Sequence, residues 1–281
     1  MPHRDASFGG LRRAYVLILS DNLNMAHQQV AKAVEARDAG SIRELAHKVT
    51  EAGADVIDLN IGSLSSGAED AMVWLVKQVQ AVSDLQLSLD SRSADAMIAG
   101  VRAASKKPIV NAYSLQSARP EDVIGRLIPF AAENDLEIVL PAAGGFGPPL
   151  DADARAGRAQ ALVEKATSAG VAPDRIYVDP VVVHLGGGDG QQHAAAVMDT
   201  MRLLTTIFDP PIKTLAGVEY VSQGAPPQLR SALNRTFLAM LAALGLSAAV
   251  VDVMDAATMR DLRLIKALRN ESLYSVSDAG L

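Results

Sequence analysis

Gly53-Ala54-Asp55-Val56-Ile57-Asp58-Leu59-Asn60-Ile61, preceded by Ser41 to Ala52 and followed by Ala68 to Val82, decides the fold. It reads as a helix, a glycine stop, a short run of Val, Ile and Leu, and a second helix. Short apolar runs separated by longer stretches of helical period are the pattern of parallel strands covered by helices. Ser41 with Glu44 three residues on reads as a capping box that opens the first helix. Gly53 stands where a helix end wants a left-handed residue, as does Gly170.

Outward from this unit the same alternation repeats. Candidate strands are Tyr15 to Ser20, Asp55 to Ile61, Gln86 to Asp90, Pro108 to Asn111, Glu137 to Pro141, Arg175 to Asp179, Ile212 to Gly217 and Ala248 to Asp252. Helical patterns cover Ser41 to Ala52, Ala68 to Val82, Ala94 to Ala104, Glu121 to Asn134, Ala152 to Ala169, His193 to Ile207, Pro227 to Leu244 and Ala256 to Arg269. Eight pairs without a Pro/Ser linker or low-complexity segment predict a single-domain α/β fold. That fold is a (β/α)₈ TIM barrel over residues 15–281, after an N-terminal extension of residues 1–14. A doubly wound sheet is the alternative, but Leu19-Ser20-Asp21-Asn22-Leu23-Asn24 lacks the G-x-G-x-x-G turn that follows its first strand.

The composition narrows the chemistry. The chain has 281 residues, 49% hydrophobic and 21% charged, as in ordinary globular proteins. A net charge of −6 speaks against a general nucleic-acid binder. There are no cysteines, so disulfides, thiolate nucleophiles and cysteine-held metals are excluded. No run approaches the roughly 18 apolar residues of a membrane span, and Met1 to Leu11 lack a signal-peptide core, so the expectation is a cytoplasmic protein.

In a barrel the functional groups gather at the C-terminal ends of the strands. Those ends carry Asp21 and Asn24, Asp58 and Asn60, Asp90, Asn111, Asp179, Glu219 with Tyr220, and Asp252 with Asp255. Any one Asp or Asn at a strand end is more often a turn or cap residue. As a set they suit a flat ligand offering adjacent N–H donors and a carbonyl, such as a 2-aminopyrimidinone edge. Ser91 or Ser93 is free to cap the helix after Asp90, and Pro180 leaves Asp179 no nearby amide. Metal is disfavoured, because the carboxylates are interleaved with Asn and no His-rich or Asp-x-Asp cluster concentrates ligands. Leu185-Gly186-Gly187-Gly188-Asp189-Gly190 lacks the Gly-Lys-Ser ending of a phosphate cradle and reads as a flexible loop at the mouth. Met25, Met72, Met97, Met198, Met201, Met240 and Met254 read as core filler.

From Tyr15 to Asp255 the sequence resembles the pterin-binding barrels, above all the methyltetrahydrofolate:corrinoid protein methyltransferases and the folate domain of cobalamin-dependent methionine synthase. The likeness rests on Gly53 to Gly62, Leu89-Asp90-Ser91, the Asn111 strand end, Tyr177-Val178-Asp179-Pro180, Val221-Ser222-Gln223, and Asn234-Arg235-Thr236-Phe237-Leu238-Ala239-Met240 running into Gly245-Leu246-Ser247-Ala248-Ala249. It implies that Asp179 accepts from pterin N3 and the 2-amino group, and that Asn111 and Asp90 hold the other ring nitrogens. Asp58 and Asn60 would line the pocket, with Asn24 and Gln223 matching further family positions. His193 matches a family histidine but stays outside the catalytic set.

The resemblance implies tetrahydrofolate or methyltetrahydrofolate as substrate and cobalamin carried by a separate corrinoid protein, since no Asp-x-His-x-x-Gly motif is present. It also implies a homodimer. Two departures stand out. The family's Gly-Leu-Ser-Asn-Val-Ser-Gln is here Gly217-Val218-Glu219-Tyr220-Val221-Ser222-Gln223, and its Glu-Arg after the first strand is Asp21-Asn22. Tyr220 therefore takes the place of the asparagine that bonds near N5. Glu219, Tyr220 and Asn111 are the candidate catalytic set; the direction of transfer stays open, and the expectation is adaptation either to transfer toward tetrahydrofolate, which needs less acid help at N5, or to a modified methyl carrier. A dihydropteroate synthase-like enzyme and a non-catalytic pterin-binding subunit are the alternatives; the former wants a basic run where Glu219-Tyr220 stands.

Overall fold

A computed structural model describes residues 16–62, 64, 66–144 and 147–273. Tyr15, the extension before it and the segment from residue 274 on lie outside them. Eight strands alternate with helices in chain order. They are β1 (Leu17–Asn24), β2 (Val56–Asn60), β3 (Gln86–Asp90), β4 (Ile109–Asn111), β5 (Glu137–Pro141), β6 (Ile176–Asp179), β7 (Lys213–Gly217) and β8 (Ala248–Val251). Every strand pairs in parallel with its neighbour, and Leu17 of β1 faces Ala248 of β8, which closes the cylinder in the order β1 to β8. The expected (β/α)₈ barrel is the observed fold.

The helices are α1 (Gln28–Glu35), α2 (Ala39–Glu51), α3 (Ala68–Gln80), α4 (Ala94–Ala103), α5 (Tyr113–Ala118), α6 (Pro120–Asp122), α7 (Ile128–Glu133), α8 (Ala152–Ser168), α9 (Gly190–Ile207), α10 (Pro227–Ala243) and α11 (Ala256–Leu268). α1 and α5 are additions to the eight expected helices. The helix expected from Glu121 is broken by a π-helical turn at Val123–Leu127 between α6 and α7. Pro120 and Pro129 each enter near a helix start, where a missing N–H costs nothing. The helix before β2 starts at Asp38, not Ser41. The Asp38 carboxylate accepts from the Ser41 amide at 3.2 Å and the Ser41 hydroxyl at 2.6 Å, so Ser41 is capped rather than capping. Gly53 and Gly170 do take left-handed conformations, with φ of 94° and 103°.

Outward strand residues such as Ile57 and Leu59 pack under Met72, Leu75 and Val76 of α3. Inward residues Leu19, Val56, Ile109, Val139, Tyr177, Leu215, Ala248 and Val250 fill the cylinder with one apolar layer. Below that layer Lys213 reaches Glu137 at 3.0 Å and lies 4.4 Å over the Tyr177 ring, closing the end away from the site. Above it stand the polar strand ends. Met25, Met72, Met97 and Met201 are buried as expected, whereas Met240 and Met254 are exposed, at 43% and 41%. Both sit on helix or loop surfaces that face away from the barrel's apolar layers, so helical spacing alone misplaced them.

Gly100 of α4 packs against α3 and β3, where a Cβ would stand 2.6 Å from Met72 Cγ and 2.9 Å from Leu89 Cδ1. Alanine gains about 1 kcal/mol of helix propensity over glycine, but overpacking a full core costs about 1–3 kcal/mol. Gly100→Ala is therefore expected to lower unfolding free energy, measured by chemical denaturation; a stabilised variant would show that the two helices part freely.

Candidate active site

The strand register brings the polar ends to one level. Asn60 pairs with Asp90 and Asp90 with Asn111 across β2, β3 and β4, while Pro141 pairs with Asp179 across β5 and β6. Asp58, two residues before Asn60, shares its inward face by the strand's period of two. Asp58, Asn60, Asp90, Asn111 and Asp179 line one recess with Asp21, Tyr113 and Tyr220, on a floor of Leu215, Gly217 and Val250.

Local bonds hold these side chains in place. Asn60 donates to Asp90 Oδ2 at 2.9 Å, while the Ser114 amide and hydroxyl donate to Asp90 at 3.0 and 2.9 Å. Asn111 donates to Asp58 Oδ1 at 3.4 Å and accepts from the Tyr113 amide at 3.2 Å. Ser93 caps α4, accepting from the Ala96 amide, which leaves Asp90 to the recess as expected. Pro180 does not leave Asp179 without an amide. The chain turns at Val181, φ 63°, and the Val181 N–H donates to Asp179 Oδ1 at 2.7 Å.

Burial sets the charge of the group. It pushes the Asp58 carboxyl up to about 7 and Asp179 up to about 7, and with help from the Asp58 charge it raises Asp90 well above the ordinary carboxylate range. Burial also pushes the phenols of Tyr113 and Tyr220 above their usual range, so both remain O–H donors at neutral pH. Their rings stack with centroids 5.3 Å apart. Tyr220 folds back over Gly217, where a Cβ would lie 2.6 Å from the ring, so a side chain at 217 would displace it. The recess holds only about 20 Å³, room for about one water and far below the range of a ligand pocket, so a bicyclic ligand must part the two rings.

Glu219, Asn24 and Gln223 are not in this recess. They line a wider vestibule beside it with Asp21, His27, Tyr220, Arg230, Asn234 and Asp252. Glu219 accepts from the Asn234 side-chain amide and from the Asp252 N–H, and burial pushes its carboxyl up to about 7. Asn24 donates to Asp21 Oδ1 at 2.8 Å. Among the described residues only Asp21 and Tyr220 border both spaces. Asp255 caps α11, accepting from the Ala257 and Thr258 amides, the ordinary role of a strand-end Asp. The glycine run is not slack: Leu185 N–H donates to Val221 O, and a Cβ on Gly190 would meet His184 O at 2.3 Å. Among the described residues no group of three or more His, Asp or Glu is placed to hold a metal ion, and no helix is long and apolar enough to cross a membrane.

Asp21 was legible as a strand-end carboxylate, whereas two contributors, Tyr113 and Arg155, escaped sequence reasoning. Asp21 reaches the recess because β1 carries one extra residue against β2, between Ser20 and Leu23, and a bulge re-aims side chains. Tyr113 lies two residues beyond Asn111, on a helix too short for a periodic signal. Arg155 sits in a polar helical stretch, Asp151 to Arg158, that reads as a solvated face, yet its side chain is wholly buried.

An inward ring of carboxylates and amides over an apolar floor at the C-terminal mouth defines a barrel that recognises a flat, N–H-rich heterocycle. The chain belongs to the pterin binding enzyme family, whose pattern matches residues 21–252. It is 27% identical to a methylcorrinoid:tetrahydrofolate methyltransferase of Eubacterium limosum over 84% of this chain and 85% of that one. It is 24% identical to a methionine synthase of Mycobacterium leprae, again over 84% of this chain but only 20% of the much longer relative. In structure it resembles dihydropteroate synthases of Xanthomonas albilineans and Stenotrophomonas maltophilia, with TM-scores of 0.65 and 0.66 at 21% and 20% identity. These cover 92% and 94% of this chain and 95% and 96% of theirs, a likeness of fold.

The raised carboxyls make the ligand-free protein pH-sensitive in a definite sense. A folded-state pKa near 7 against an ordinary 3.8 means that the native state holds more protons than the unfolded chain between those values. Stability is then fully present below about 4 and falls as pH rises through about 7. The carboxyls lowered by exposed partners, such as Asp38 and Glu44, are screened and oppose this weakly. Melting temperature without ligand is expected to be lower at pH 8 than at pH 5, and Asp58→Asn is expected to raise it at pH 8. A melting curve that climbs across this interval would contradict the burial argument.

Proposed function

We propose that this protein is a methyltransferase that moves a methyl group between the cobalt of a separate corrinoid protein and N5 of tetrahydrofolate, working toward methyltetrahydrofolate. The observation that carries the proposal is the convergence of Asp58, Asp90, Asn111 and Asp179 under Tyr113 and Tyr220 at one mouth. The similarity to a relative named for methylcorrinoid and tetrahydrofolate supports that direction.

In this reading Asp179 accepts from the N3–H and 2-amino group of the pterin. Asp90 and Asn111 take the other ring nitrogens, Asp58 and Asn60 line the pocket, and the two tyrosines open and then cover the ring. The corrinoid supplies an electrophilic methyl carbon. N5 attacks that carbon with its lone pair, the electron pair of the broken bond stays with the carrier, and the N5 proton must leave. Tyr220 borders both compartments and Glu219 lies beside it in the vestibule, so Tyr220 holds the N5 side and Glu219 receives the proton. Asn24 and Gln223 line the opening through which the carrier approaches.

The dihydropteroate synthase reading draws support from fold alone. It requires a pyrophosphate to be handled at this mouth, where the vestibule sets Asp21, Glu219, Asp252 and Asp255 against Arg230 and His27. Four carboxylates there disfavour an anionic leaving group.

Methylated corrinoid protein plus tetrahydrofolate is expected to yield methyltetrahydrofolate with the purified protein. Asp179→Asn should weaken tetrahydrofolate binding about a hundredfold, because two charge-assisted bonds are lost. Tyr220→Phe should lower kcat about tenfold or more. Full-rate transfer from methyltetrahydrofolate to cob(I)alamin, together with an unaltered Tyr220→Phe, would refute the proposed adaptation.

The direction carries its own pH signature. With Glu219 as proton acceptor at about 7, kcat toward tetrahydrofolate is expected to rise through that pH, whereas a proton-donating role in the opposite direction makes kcat fall. A falling limb in the forward direction would remove Glu219 from the base role.

A further inference from the structure

Arg155 is a large charged side chain with no exposure at all, on α8 behind the recess rather than in its lining. Buried guanidinium is tolerated only where its donors are satisfied. Here Nε donates to Pro149 O at 2.7 Å, and Nη1 donates to Pro180 O at 2.7 Å and Val181 O at 3.0 Å. Nη2 lies 2.5 Å from His193 Nδ1 on α9. His193 Nδ1 is then the acceptor, so the imidazole is neutral with its proton on Nε2. Burial first, and the Arg155 charge second, keep His193 below its ordinary pKa.

The carbonyls Arg155 grips belong to the turn that follows Asp179. Val181 at φ 63° is a β-branched residue in the left-handed region, a costly conformation that persists only where surroundings impose it. That conformation brings the Val181 N–H onto Asp179 Oδ1. Two carbonyls held by one rigid fork, a strained residue and a carboxylate fixed by that residue's amide form one continuous chain of contacts.

We propose that Arg155 is a positioning residue for ligand binding: from inside the barrel wall its guanidinium holds the Pro180–Val181 turn in the strained form that presents the Asp179 carboxylate to the pterin. The assignment rests on the pterin reading of the site. It also gives Arg155 an electrostatic part, since its charge opposes the rise that burial imposes on Asp179. The other titratable groups that share the recess with Asp179 are Asp21 from β1, Asp58 and Asp90 from β2 and β3, Tyr113 from α5 and Tyr220 after β7; His193 from α9 and Arg155 from α8 stand behind it.

The test is tetrahydrofolate binding by wild type, Arg155→Met and Arg155→Lys, titrated across the Asp179 midpoint of about 7. Arg155→Met is expected to bind at least about tenfold more weakly at neutral pH, with the pH of half-maximal binding moved upward. Arg155→Lys keeps the charge but one ammonium cannot reach carbonyls on both sides and His193 together, so it too should lose about tenfold while its pH midpoint stays near that of wild type. This split between affinity and midpoint is one that general loss of packing does not produce. If Arg155→Met does not fold, Arg155→Lys decides alone: binding equal to wild type overturns the proposal. Folded variants that both bind as wild type does overturn it equally. Wild-type protein with no affinity for tetrahydrofolate would instead bring down the pterin reading on which the assignment stands.

Discussion

Closure of the cylinder is the constraint from which the rest follows. Once Leu17 pairs with Ala248 the sheet has no edge, and every second residue of each strand must point inward. Deep in the barrel that demand is met by the apolar layer of Leu19, Val56, Ile109, Val139, Tyr177, Leu215, Ala248 and Val250. At the upper level the inward positions are carboxylates and amides, which the same closure removes from water. The arrangement is viable because Asn and Asp alternate around the rim. Asn60 donates to Asp90 and Asn111 to Asp58, so these two carboxylates each have an amide donor from another strand, while Asp179 takes the Val181 N–H. Desolvation still outweighs those bonds, as the raised carboxyls show, and the site stores instability that a hydrogen-donating ligand relieves.

What was legible in the sequence was whatever closure makes periodic. The strands β3 and β5 were readable to the residue, because Gln86–Asp90 and Glu137–Pro141 are apolar runs ended by a polar residue or proline. Asp90, Asn111 and Asp179 were readable because each ends a run, while Asp58 and Asn60 stand within the run of β2. The bulge in β1 was not, since an extra residue in a strand leaves no compositional mark, although Asp21 itself was legible as a strand-end carboxylate. Arg155 was hidden for the opposite reason. Its neighbours Asp151, Asp153 and Arg158 are polar, and only the three-dimensional approach of Pro180 and Val181 to one point of α8 tells a buried fork from a solvated side chain.

Glu219 shows a third way in which sequence falls short. It is adjacent to Tyr220 in the chain, which suggests a single catalytic unit. The short 3₁₀ turn Val218–Ser222 separates them, laying the tyrosine over Gly217 and anchoring the carboxylate to Asn234 and the Asp252 amide. The mouth is thus divided into a dry, flat recess and a wetter acidic vestibule, with Tyr220 and Asp21 as the partition.

That partition bears on the chemistry the proposed reaction needs. An amide at position 220, as the resemblance implies for relatives, donates a hydrogen bond but passes no proton. A buried phenol that keeps its proton can accept one proton at its oxygen while releasing another, and here its carboxylate neighbour in the next compartment stands near neutrality. Forming the N5–methyl bond leaves a proton to be disposed of in a recess from which water is largely excluded, whereas breaking that bond requires one to be delivered. A phenol between a dry site and an acidic vestibule serves the first need without admitting solvent to the reacting carbon. On the proposed reading, the tyrosine in place of the family's asparagine changes how a proton crosses the partition and leaves the carboxylate and amide ring behind it in place.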